Sequence, residues 1–102
     1  MAELPVACAL TAPELRERRE TVLAAVRARV REVRELGSGY ALRFDPEDGG
    51  LAELATLIEL ERQCCPFLRF DLAVLPANGP VWLELTGPEG TREFLRTILE
   101  LP

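Results

Sequence analysis

The chain has 102 residues, 48% of them hydrophobic, and carries a formal net charge of −5 with twelve arginines, no lysine and no histidine. That length makes one domain, residues 1–102, with a modest core. The negative balance speaks against a phosphate-backbone partner, and the absence of histidine excludes nucleophilic catalysis of the Cys-His type. No apolar run approaches a membrane span and no basic, apolar leader opens the chain, so a cytoplasmic protein with no nucleic-acid or membrane partner is expected. In that compartment cysteines are reduced. The three present, Cys8, Cys64 and Cys65, are in any case too odd a number for a complete disulfide framework.

Thr11-Ala12-Pro13-Glu14 reads as a helix start, with the threonine as cap, the proline in the first turn and the glutamate completing a capping box. Leu15, Val22, Leu23, Val26 and Val30 then recur at helical spacing. The arginines from Arg16 to Arg34, interleaved with glutamates, read as a solvated helix face. The end of this helix is open. Val30, Val33 and Leu36 can continue it, but a short strand over 31–36 accounts better for the turn Gly37-Ser38-Gly39 and the alternating Tyr40, Leu42 and Phe44 that follow.

Asp45-Pro46-Glu47 and Gly49-Gly50 punctuate the chain before a second helix from Leu51 to Cys64. Leu51, Leu54, Ala55, Ile58 and Cys65 mark one side of it, with Leu57, Leu60 and Cys64 beside them, and Glu61-Arg62 reads as a surface pair. Pro66 ends the helix and biases Cys65 toward extended geometry. The period then switches to two: Leu68, Phe70, Leu72 and Val74, a turn over 76–80, and Val81, Leu83 and Leu85. Thr86-Gly87-Pro88-Glu89 repeats the earlier helix start, and Phe94, Leu95, Ile98 and Leu99 carry the last helix. The order α-ββ-α-ββ-α predicts an α+β fold, a four-stranded antiparallel sheet with helices on one face. Trp82, Phe67 and Ala73 then fall on the open face beside Arg43, Arg69, Asp71 and Glu84, which predicts a homodimer through that face.

Sulfur is the chemistry this composition leaves. Cysteine packs well in cores, but two adjacent cysteines at a helix end do not share one direction, so at least one is expected off the core axis. With Cys8, the pair Cys64 and Cys65 makes a metal site of three sulfurs. Zinc would need a fourth ligand, whereas Hg(II), As(III), Cu(I) and Cd(II) accept two or three. The alternative is thiol redox chemistry. Cys8, near the positive end of the first helix, would attack, and Cys64 or Cys65 would resolve, with Arg62 and Arg69 compensating the unfavourable helix end. A third reading is an interaction module with inert cysteines.

Glu61-Arg62-Gln63-Cys64-Cys65-Pro66-Phe67, followed late in the chain by Thr86-Gly87-Pro88-Glu89-Gly90, resembles a group of small, uncharacterised bacterial proteins that share an E-R-x-C-C-P-F and a T-G-P-E-G segment. The resemblance covers nearly the whole chain. It implies an association with metal-resistance genes, and hence soft-metal binding, but carries over no catalytic residue.

Overall fold

The computed structural model describes residue 6 and residues 12–101. In chain order its elements are α1 (Pro13–Arg29), β1 (Val30–Leu36), β2 (Gly39–Phe44), α2 (Gly50–Cys64), β3 (Arg69–Val74), β4 (Val81–Thr86) and α3 (Thr91–Ile98). The four strands form one antiparallel sheet in the order β1-β2-β4-β3, so each hairpin stays together and β2 and β4 meet in the middle. This is the expected α+β architecture, with the helices on one face.

In β2, β3 and β4 apolar residues recur at every second position, whereas β1 spaces Val30, Val33 and Leu36 by three and carries a register shift between Val30 and Glu32. In β4, Val81, Leu83 and Leu85 are buried under the helices, whereas Trp82 and Glu84 face the other way. Tyr40, Leu42 and Phe44 of central β2 join them. The core closes with Leu23 and Val26 of α1, Leu54 and Leu57 of α2 and Leu95 of α3.

The ambiguous end of α1 resolves as a direct passage from helix to strand. Val30 has φ −64° and ψ 125°, extended geometry with no intervening loop. Val33 and Leu36 therefore lie in β1. At its start α1 carries the expected proline, but its cap is Ala12, which makes no side-chain cap bond. Thr11, proposed as the cap, lies outside the described residues.

Two helix readings are corrected. The apolar stripe of α2 is turned from the expected one: Leu54, Leu57, Leu60, Glu61 and Cys64 face inward, while Leu51 is 46% exposed and Ala55 is exposed. The last helix begins at Thr91, not at the Thr86–Glu89 segment, because Gly90 has φ 96° and breaks the path before the helix. Only glycine adopts that conformation without strain. Thr91 donates its hydroxyl to the carbonyl of Pro88 at 2.6 Å, which ties the preceding turn to the helix.

The open face is covered by its own charged side chains. The guanidinium of Arg34 lies 4.5 Å from the centre of the Trp82 ring, a cation–π stack. Arg43 reaches Glu32 at 3.2 Å and Asp45 at 2.7 Å. Phe67, expected on this face, is instead buried on the helix side, edge-on to Phe94 with ring centres 5.1 Å apart. It precedes β3, so the alternation of the strand does not govern it.

Gly39 stands where β2 passes close to β4. A Cβ there would run into the backbone carbonyl of Leu85, whereas one at Gly37 would meet nothing within 4 Å. Gly39→Ala is expected to lower stability by about 3 kcal/mol or more through forced backbone displacement, and Gly37→Ala by less than about 0.5 kcal/mol. Urea unfolding of the two variants against the parent checks the contrast.

Candidate metal centre

The C-terminal turn of α2 is built from Glu61, Cys64 and Cys65. The first two share the inward side, as residues three apart on a helix do. Cys65 leaves the helix, with φ −123° and ψ 73°, because Pro66 follows it. Its amide still donates to the carbonyl of Glu61 at 2.6 Å, which closes the last helical turn. That change of direction turns the Cys65 side chain inward too. Both cysteines are fully buried, contrary to the expectation that one would lie off the core axis.

Glu61 is 1% exposed and is not a surface partner of Arg62, which lies in solvent. Its carboxylate accepts two hydrogen bonds from Arg19 of α1, from Nε at 2.7 Å and from Nη2 at 3.3 Å. Arg19 also pairs with Glu20 at 3.1 Å. The Cys65 thiol donates to Oε2 of Glu61 at 3.3 Å. The charge that compensates this helix end is therefore Arg19; Arg62 and Arg69, expected in that role, are exposed.

Cys65 is a free thiol, whereas Cys64 is engaged in a disulfide, which departs from the expectation of reduced cysteines throughout. Cys8 lies outside the described residues. One potential ligand atom each from Glu61, Cys64 and Cys65 falls within 4.8 Å of the others. Burial raises the Cys65 pKa from its ordinary 9.0 to about 12, the carboxylate of Glu61 adds to the rise, and Arg19 opposes it. A neutral thiol therefore faces an ion pair at ordinary pH. For Arg19, burial lowers the pKa, but the hydrogen bonds and charge of Glu61 more than reverse this and hold it raised.

Compared with known proteins, the chain matches no protein family, no curated protein and no solved structure. The residues themselves therefore carry the functional reading. Two of them, Arg19 and Glu61, were hidden by the charge pattern. The signal that could have found them is spacing: Arg19 precedes Leu23 and Val26 by four and seven, and Glu61 precedes Cys65 by four.

Two outcomes follow from this arrangement. Removing Arg19 strands a buried carboxylate, so Arg19→Ala is expected to cost about 3–5 kcal/mol, while Arg19→Met with Glu61→Leu recovers most of the loss. A double-mutant cycle by chemical denaturation measures it. The raised Cys65 pKa means that the unfolded chain gives up this proton first. Its stabilising contribution is complete below pH 9 and is lost as pH rises toward 12. The slope of stability against pH in that window should flatten by up to about 1.4 kcal/mol per pH unit in Cys65→Ala. Parallel urea titrations of both proteins read the difference.

Proposed function

We propose that the reduced protein binds one soft, thiophilic metal or metalloid ion through Cys64 and Cys65, with Glu61 as a further donor. The observation that carries this reading is the gathering of two sulfurs and a carboxylate within 4.8 Å in a buried place. Thiolates prefer Hg(II), As(III), Cu(I) and Cd(II) over hard cations, and zinc would need more ligands than these three supply. The charges agree. Two thiolates and the Glu61 carboxylate, less the Arg19 guanidinium, sum to −2, which a divalent soft ion neutralises. An unbalanced charge would be costly at such depth. Cys8 belongs to the same proposal as a third sulfur, whose thiolate would bring the sum to −3 and suit a trivalent ion such as As(III).

Because Cys64 is disulfide-bonded, capture of the ion requires prior reduction. A dithiol reductant would supply two electrons and two protons, and the ion would then displace the thiol protons. A reducing cytoplasm is the setting in which such a site stays open.

A second reading, thiol–disulfide chemistry, is favoured by the same disulfide beside the free Cys65 thiol. There Cys8 attacks and Cys64 resolves, because a buried, protonated Cys65 is a poor partner for exchange. Native mass spectrometry separates the readings. With Hg(II) or As(III), the metal reading expects stoichiometric uptake by the reduced protein, little by the unreduced one, and loss of uptake in Cys64→Ser with Cys65→Ser. A reduced protein that takes up no soft ion, or a double variant that binds as well as the parent, overturns it. A weaker complex of Cys8→Ser would assign the third sulfur. Absence of uptake together with reversible cycling of the Cys64 disulfide would establish the redox reading instead.

A further inference from the structure

The strand order leaves β1 and β3 at the edges of the sheet. An edge strand offers unpaired N–H and C=O groups to any strand that fits, and stable monomers guard it with charges or irregularities. β1 has both: Arg31, Glu32, Arg34 and Glu35 along its length, and a break in register between Val30 and Glu32. β3 is guarded over its first half only, by Arg69 and Asp71. Its second half, Leu72-Ala73-Val74, carries no charge, and its pairing with β4 is regular throughout.

The same half-strand is also uncovered. Leu72 and Val74 lie opposite Leu83 and Val81 and so point to the helix side of the sheet. Yet they are 40% and 55% exposed, whereas Leu83 and Val81 are buried. The helices stop short of this edge. Leu75 and Leu51 lie next to Val74 in one shallow pocket, and these four are the exposed large apolar side chains among the described residues.

We propose that β3 pairs antiparallel with β3 of a second copy about a two-fold axis, joining two sheets into one of eight strands. The occupant must supply both a strand edge and apolar residues in alternation on the helix side. β3 itself has that pattern, and an isologous contact needs nothing else. Electrostatics suit a second copy here. The chain carries −5 overall, but Arg69 and Asp71 neutralise each other along this edge at 3.1 and 3.3 Å.

Side-chain alternation selects the register. A two-fold perpendicular to the sheet keeps helix faces on one side, so residues of like parity must pair. Centring on Asp71 would set two carboxylates directly against each other, which is unfavourable. Centring on Leu72 sets Leu72 against the partner's Leu72, Val74 against the partner's Phe70 and Asp71 against the partner's Ala73. That register extends the apolar ladder and opposes no like charges. The homodimer is thereby placed at the edge and not on the open face, whose tryptophan is already stacked under Arg34.

Sedimentation velocity from low micromolar to near-millimolar protein tests the idea, with far-UV circular dichroism as the check on folding. The parent chain should dimerise. Leu72→Arg, which sets two guanidinium groups on the axis, and Val74→Lys should each weaken self-association by about tenfold or more. Trp82→Ala, on the open face, should dimerise like the parent. On oxidation Leu72→Cys should give a disulfide-linked dimer that the parent does not give. A parent that stays monomeric over the whole range, folded edge variants that still dimerise, or a dimer abolished by Trp82→Ala overturns the proposal. Metal uptake plays no part in the measurement, so its outcome is independent of the thiol site.

Discussion

The buried ion pair between Arg19 and Glu61 is the constraint around which the rest of the helix layer is arranged. Taking a carboxylate and a guanidinium out of water costs several kcal/mol per ion, and good geometry has to repay it. Here the guanidinium presents two donors to the two carboxylate oxygens, at 2.7 and 3.3 Å. The pair joins residues 42 apart in sequence and so fixes how α1 sits on α2. A second polar tie, from Arg29 to Glu53, lies at the other end of α2, and Leu23 and Val26 are the buried apolar side chains of α1. Sliding either helix by one turn would leave both charges buried and unpaired. The ion pair thus acts on specificity of packing more than on net stability.

The same pair sets the chemistry of the sulfurs. Cys65 sits against a carboxylate in a place without solvent, and both facts favour the neutral thiol. A neutral, buried thiol is a slow nucleophile, which speaks against fast exchange or alkylation at Cys65. It is less of a barrier to a soft metal ion, whose bond to sulfur replaces the proton and whose charge offsets the thiolate and carboxylate together. Glu61 already has a partner in the Arg19 guanidinium, which any ion at this place would have to share. The group could hold a metal ion, and in the structure Arg19 holds its carboxylate in position.

Much of the fold was legible because three of its four strands obey a simple rule; β1, with apolar residues three apart, does not. Tyr40, Leu42 and Phe44, and later Val81, Leu83 and Leu85, alternate cleanly, and a period of two has no ambiguity of face once one side is buried. The helices were harder. α2 is rich in leucine all round, so the difference between an inward Leu54 and an exposed Leu51 is set by what lies opposite and not by the period. The site was legible in its sulfurs and illegible in its charges. A row such as Arg16, Glu17, Arg18, Arg19, Glu20 has the look of a solvated face, and nothing in local composition marks the one arginine that turns inward. Cys65 was misplaced for a related reason: helical geometry predicts divergent neighbours, but the chain departs from that geometry at the residue before Pro66.

Three further arginines make contacts of the same kind. Arg29 binds Glu47 at 2.9 Å, also bonds Glu53, and lies 5.7 Å from the centre of the Phe44 ring. Arg34 stacks on Trp82 while its Nε bonds Glu32 at 2.7 Å. Arg27 reaches the carbonyl of Ile98 and the carboxylate of Glu100. Each uses a multiply donating cation, and Arg29 and Arg34 also set its flat face against an aromatic ring, which an ammonium group does poorly. These side chains close the ends of the helix layer and cover the open face of the sheet. The second half of β3 supplies no charge of its own, and Arg29 lines the pocket beside Val74 and Leu75. Leu72 and Val74 stay exposed at that edge, whereas the central strands are closed over.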